Sequence, residues 1–110
     1  MNPSLEVNRD QLVEAFAFLN HSFKPIARKR KRRETATLIL QYKDGALTLD
    51  LEGTSFTVDA SGSWSGTATV PAMILKSFSI IEPTEDPVRL WVADGKLHYE
   101  STSIACEWNG

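Results

Sequence analysis

The chain reads as an α+β protein assembled from two βαβββ halves, about 4–60 and 66–108, and three observations support that expectation. The segment Leu38-Ile39-Leu40-Gln41-Tyr42-Lys43-Asp44-Gly45-Ala46-Leu47-Thr48-Leu49 is echoed by Val88-Arg89-Leu90-Trp91-Val92-Ala93-Asp94-Gly95-Lys96-Leu97-His98-Tyr99, with the Asp-Gly pairs 50 residues apart. A helical pattern precedes each hairpin. A short apolar strand precedes each helix. Repetition of this kind predicts a pseudo-twofold arrangement, with two helices on one side of an antiparallel sheet.

Leu5 and Val7 alternate as a first strand, and Asn8 with Gln11 three residues on reads as a helix cap. Leu12, Ala15, Phe16 and Leu19 fall at i, i+3, i+4 and i+7, one core-facing stripe of a helix expected to end near Asn20. Pro25 should block its continuation, so residues 20–34 are expected to be a long solvated basic loop. From Thr35 the period becomes two. Ala36, Leu38, Leu40 and Tyr42, then Leu47, Leu49 and Leu51, then Phe56, Val58 and Ala60 mark three strands joined by Asp44-Gly45 and Glu52-Gly53 turns.

Ser61 to Gly66 reads as a turn-rich connection between the halves. Thr67 to Val70 is a strand, and Pro71 suits the first turn of a helix carrying Ala72, Ile74, Leu75 and Phe78. Glu82 to Pro87 is an acidic loop, followed by strands at 88–92, 96–100 and 103–108. A tight turn at Ser101-Thr102 would pair Tyr99 with Ile104 and Leu97 with Cys106. That register turns Cys106 toward the core and His98 to the opposite face, which argues against a Cys-His dyad. Trp91 should lie on the outer sheet face or under an adjoining element, Trp64 in a turn and Trp108 on the last strand.

At 110 residues and 42% hydrophobic content the chain suits a single domain with one core. No apolar run reaches the roughly 20 residues of a membrane span, and Met1 to Asn8 lacks a signal-peptide core, so a cytoplasmic, non-membrane protein is expected. Cys106 is the only cysteine, which excludes an internal disulfide. The histidines are His21 and His98 only, and no Gly-rich phosphate loop occurs. Glu82, Glu85 and Asp86 have no recognisable ligand spacing and read as solvated. No enzyme, cofactor, metal or small-molecule substrate is therefore expected.

Charge is the strongest functional signal. Lys24, Arg28, Lys29, Arg30, Lys31, Arg32 and Arg33 are seven of the twelve basic residues, within ten positions and with no acid among them. The formal net charge is −2, so the rest of the chain carries about −9. The first helix presents Asp10, Gln11 and Glu14 outward, and Lys76 is the only charge on the second. Phosphate contact is thus expected from the basic run, sequence-tolerant because no aromatic residue interleaves Arg28 to Arg33. The alternatives are an acidic protein partner, self-association, or a solvated segment without a role.

The order of elements, the Asp-Gly hairpins and Thr67-Ala68-Thr69-Val70-Pro71-Ala72 leading into the helix Met73 to Ile80 together resemble one domain of the sliding clamps, as in the beta subunit of bacterial DNA polymerase III. The resemblance spans Leu5 to Trp108. It implies a DNA-clamp fold, a non-enzymatic role on DNA or RNA, and assembly through sheet edges, either as a homo-oligomer or in a ring. The competing expectation is a small interaction or scaffolding module that recruits a partner by strand addition.

Overall fold

The computed structural model describes residues 2–110. Its elements in chain order are β1 (Ser4–Val7), α1 (Arg9–Ala27), α2 (Arg30–Thr35), β2 (Thr37–Lys43), β3 (Ala46–Leu51), β4 (Thr54–Ser63), β5 (Thr67–Pro71), α3 (Ile74–Ser79), β6 (Val88–Ala93), β7 (Lys96–Tyr99), β8 (Thr102–Ala105) and β9 (Glu107–Asn109). The nine strands form an antiparallel sheet in the order β8-β7-β6-β1-β4-β3-β2-β5-β9.

Period-two patterning decides which sheet face is buried. Leu38, Leu40, Leu47, Leu49, Leu51, Val58, Ala68 and Val70 point to one side, joined by Leu5, Val7, Val88, Leu90, Val92, Leu97 and Tyr99, all at most 5% exposed. Cross-strand partners such as Leu40 with Leu49 and Ala68 keep like with like on this face. The Asp-Gly turns form as their residues require: Asp44 and Gly45 have φ 51° and 80°, Asp94 and Gly95 φ 55° and 72°, and both residues of Glu52-Gly53 are positive as well.

Two long strand paths tie the sheet together. In β4, Thr54–Asp59 pairs with β3 and Ala60–Ser63 pairs with β1. The chain therefore stays extended through Ser61-Gly62-Ser63, where a turn was expected, and Gly62 is needed there. At φ 144°, its Cβ would fall 2.3 Å from the Ser4 carbonyl oxygen. The second path is β8 with β9. The single strand expected over 103–108 divides at Cys106, and its two parts lie at opposite ends of the strand order.

The last hairpin turns one step earlier than its spacing suggests. Tyr99 pairs with Thr102 and Leu97 with Ile104, leaving Glu100, at φ 54°, and Ser101 in the turn. The shift is two residues, which preserves side-chain parity, so Cys106 still packs against the core. Pro71 ends β5 instead of opening a helix. Its missing N–H is tolerated because β9 pairs with β5 only at Thr67, Ala68 and Thr69.

The largest correction concerns the basic loop expected over 20–34. α1 runs through Asn20 to Ala27 with Pro25 inside it, and α2 follows after only Arg28 and Lys29. Phe23, 6% exposed, extends the stripe of Leu12, Phe16 and Leu19 by another turn, and Ile26 packs beside it. That apolar anchoring outweighs the one intrahelical bond that proline removes so near a helix end. α2 is a short helix of good helix formers, with Arg30 and Glu34 paired at i, i+4. The described residues thus form three helices where two were expected.

α1 and α3 meet over the sheet through aromatic rings. Phe16 lies 5.4 Å from Phe78 edge-on, and each lies about 5 Å from Tyr99 of β7, at 5.2 and 5.0 Å. Asn8 caps α1, its Oδ1 accepting from the Gln11 N–H. The Gln11 side chain reaches across to β4 instead of closing a capping box: Asp59 N–H donates to its Oε1 at 2.7 Å, and its Nε2 donates to Asp59 Oδ2. No described helix is long and apolar enough to cross a membrane.

Candidate functional site

Helix formation gathers the basic run into one place. Lys24 stands in the last turn of α1, Arg28 is its C-cap, Lys29 precedes α2, and Arg30, Lys31, Arg32 and Arg33 lie on α2. Cations at the end of a 19-residue helix sit against its partial negative charge, which stabilises both. All but Arg33 are exposed.

Only two of the seven find a carboxylate. Arg30 pairs with Glu34 at 3.3 Å, and Arg32 reaches Glu52 in the β3–β4 turn at 3.8 Å. Exposed pairs of this kind contribute at most about 1 kcal/mol and give way readily to a better anion. Among the described residues, Lys24, Arg28, Lys29, Lys31 and Arg33 have no ion-pair partner.

Between the second half of α1 and α3 lies an open cleft of about 700 Å³. Lys24, Arg33 and Lys76 come to it from three different helices, and Phe23, Met73 and Ile80 supply apolar wall. Met73 is 51% and Ile80 78% exposed. The basic residues predicted from sequence are therefore brought together, and Lys76 joins them. Nothing in its sequence neighbourhood marks Lys76 as a partner of Arg33. The signal lies in the packing of α3 on α1, which links residues about 50 positions apart.

The remaining polar candidates are dispersed. Burial pushes the Cys106 thiol above its ordinary value, so it is held as a neutral thiol. His98 lies on the opposite face of its strand, its ring stacked at 4.9 Å on Trp91. The Arg89 guanidinium sits 4.7 Å from the Trp91 ring centre, placing this indole on the outer sheet face as its alternation predicts. Trp64 is buried, not at a turn surface, and meets Trp108 edge-on at 5.2 Å.

Neither a family model nor a curated protein matches the chain. The function must be argued from the geometry of the helical layer, where a cluster of unpaired cations borders an apolar cleft.

Proposed function

We propose that this chain is a non-enzymatic, clamp-like protein that contacts the phosphate backbone of nucleic acid through the basic end of its helical layer. One observation carries the reading: Lys24, Arg33 and Lys76, from three helices, converge on one cleft beside exposed Arg28, Lys29 and Lys31, and none has a carboxylate partner among the described residues. Clustered unpaired cations release counterions on binding phosphate, and arginine adds bidentate contacts.

The clamp-like part of the reading draws support from the strand pairings. β1 lies between β4 and β6, and β5 lies between β9 and β2. Each helix follows one of these two strands and precedes an Asp-Gly hairpin, so β1-α1-β2-β3-β4 matches β5-α3-β6-β7 with β8 and β9 taken as one path. In such an arrangement α1 and α3 are equivalent elements, and α2 is an insertion carrying the basic run.

The test is binding to a duplex and to a single strand of mixed sequence as salt is varied. Log affinity should fall with log salt at about −0.9 per duplex phosphate contacted. Replacing Arg28, Lys29, Arg30, Lys31, Arg32 and Arg33 with neutral residues should abolish binding while lowering thermal stability only modestly, since these residues contribute helix-end and exposed ion-pair interactions but none belongs to the buried core. No binding by the wild type at low salt would overturn the reading and leave an acidic protein partner for the same cations.

A further inference from the structure

The exposed side of α1 is electrically polarised along its length. Asp10, Glu14, Ala17, His21, Lys24 and Arg28 recur at steps of three or four and are all exposed, forming one solvent stripe that starts acidic and ends basic. The flanking elements repeat the gradient. At the start of α1 the acidic loop is tied down by Arg9, whose Nε donates to the Pro83 carbonyl at 2.8 Å and whose N–H donates to Asp86 Oδ1. At its end stand α2 and Lys76. Exposed Val13 lies on α1, and exposed Met73 and Ile80 line the cleft beside Lys24 and Lys76.

We propose that this face is self-complementary, and that two copies of the chain associate through it as an antiparallel twofold dimer. Turning one copy end for end places its Lys24, Arg28 and Lys76 over the partner's Asp10, Glu14 and Glu82, and the reverse contact follows by symmetry. Ile80, 78% exposed and lining the cleft between α1 and α3, is a large apolar side chain that a second copy would cover.

The charge bookkeeping favours this occupant over an unrelated one. Five of the fourteen acids, Asp10, Glu14, Glu82, Glu85 and Asp86, gather at the start of α1, with Asp10 also 3.8 Å from Arg9, while the seven clustered cations stand at its end, so the acidic end of a second copy is a complementary anionic surface for them. The edge strands β8 and β9, with four and three residues, offer only short ladders for pairing.

Magnitude sets what kind of dimer to expect. Nineteen residues make α1 roughly 28 Å long and six make α3 roughly 9 Å, each helix being about 9 Å wide, so the face covers roughly 350 Å² per copy. That is smaller than a standard specific interface, hence a weak, reversible and salt-sensitive dimer. The proposal goes beyond nucleic-acid binding but uses some of the same cations, so dimer and phosphate should compete.

The test is sedimentation of the full chain across the micromolar range at low and high salt, with two charge-reversed variants. The wild type should dimerise at low salt and weaken at least about tenfold at high salt. Lys24→Glu with Lys76→Glu should be monomeric, and so should Glu14→Lys with Glu82→Lys. An equimolar mixture of the two variants should dimerise, because each then meets its opposite at both poles. Circular dichroism should show both variants folded, and Ile80→Asp in the wild type should also give a monomer. A strictly monomeric wild type overturns the proposal. So does a dimer that survives both reversals, which would point to the sheet edges instead. Independently, Glu14→Lys with Glu82→Lys should retain or strengthen nucleic-acid binding, so loss of either property does not decide the other.

Discussion

Tyr99 is fully buried among Phe16 and Phe78, yet its hydroxyl has no hydrogen-bond partner. Burial holds the phenol neutral, with Glu100 adding to the effect and Arg9 opposing it, and its pKa is pushed up to about 12. Because the folded value lies above the unfolded value near 10, this contribution to stability is intact below about pH 10 and is lost as pH rises toward 12. Replacing Tyr99 with Phe removes an unsatisfied oxygen while keeping the ring. The variant should be at least as stable as the wild type, by up to about 1 kcal/mol, and should lose part of the alkaline destabilisation; urea titrations at pH 7 and pH 11 would measure both. The aromatic positions were readable as core from their spacing, since Phe16 and Phe78 sit on apolar helical stripes. That their rings converge on Tyr99 was not, because it requires knowing which strand lies beneath both helices.

Among the elements, most strands were legible from alternation, but the extension of β4 through Ser63, the division of 103–108 at Cys106 and the helix ends were not. Alternation marks the strands directly, and Asp-Gly turns leave few options for the chain. Pro25 is a local stop signal that predicts an end near Asn20, whereas Phe23 and Ile26 carry α1 on to Ala27 through tertiary burial that no local rule registers. Proline in this position still costs an intrahelical bond. Pro25→Ala should raise stability by about 1 kcal/mol, read as a shift in the denaturation midpoint, if the helix continues through it as described. A lower stability would mean that the chain prefers to leave the helix before Lys24. The same residues decide the candidate site: as a loop the cations would be scattered, whereas as two helix segments they hold fixed places around the cleft. All seven cations were therefore identifiable by composition, but their convergence with Lys76 depends on α3.

At the scale of the whole molecule, the two halves depend on one another unequally: the first forms the unbroken run β1-β4-β3-β2, whereas the second is divided between β6-β7-β8 on one flank and β5-β9 on the other. The outer strands of that run, β1 and β2, pair with β6 and β5 of the second half. A fragment comprising residues 1–64 should therefore keep strand signal by circular dichroism but confine hydrogen-exchange protection to β3 and β4, while the intact chain protects β1 and β2 as well. Protection of β1 and β2 in the fragment would mean that the halves are independent units.

The path through Cys106 sets the order in which this protein can become itself. β9 is made last, yet it lines up beside β5 some forty residues earlier, and β1, made first, waits for a partner more than eighty residues downstream. Contacts so distant in sequence have to close large loops before they return any stabilisation, which places folding on the millisecond-to-second scale. During synthesis α1 emerges early with Phe16, Leu19 and Phe23 and with no finished sheet to cover them. The interval before β6 appears is the period in which these apolar side chains lack their full sheet cover and are most exposed to aggregation.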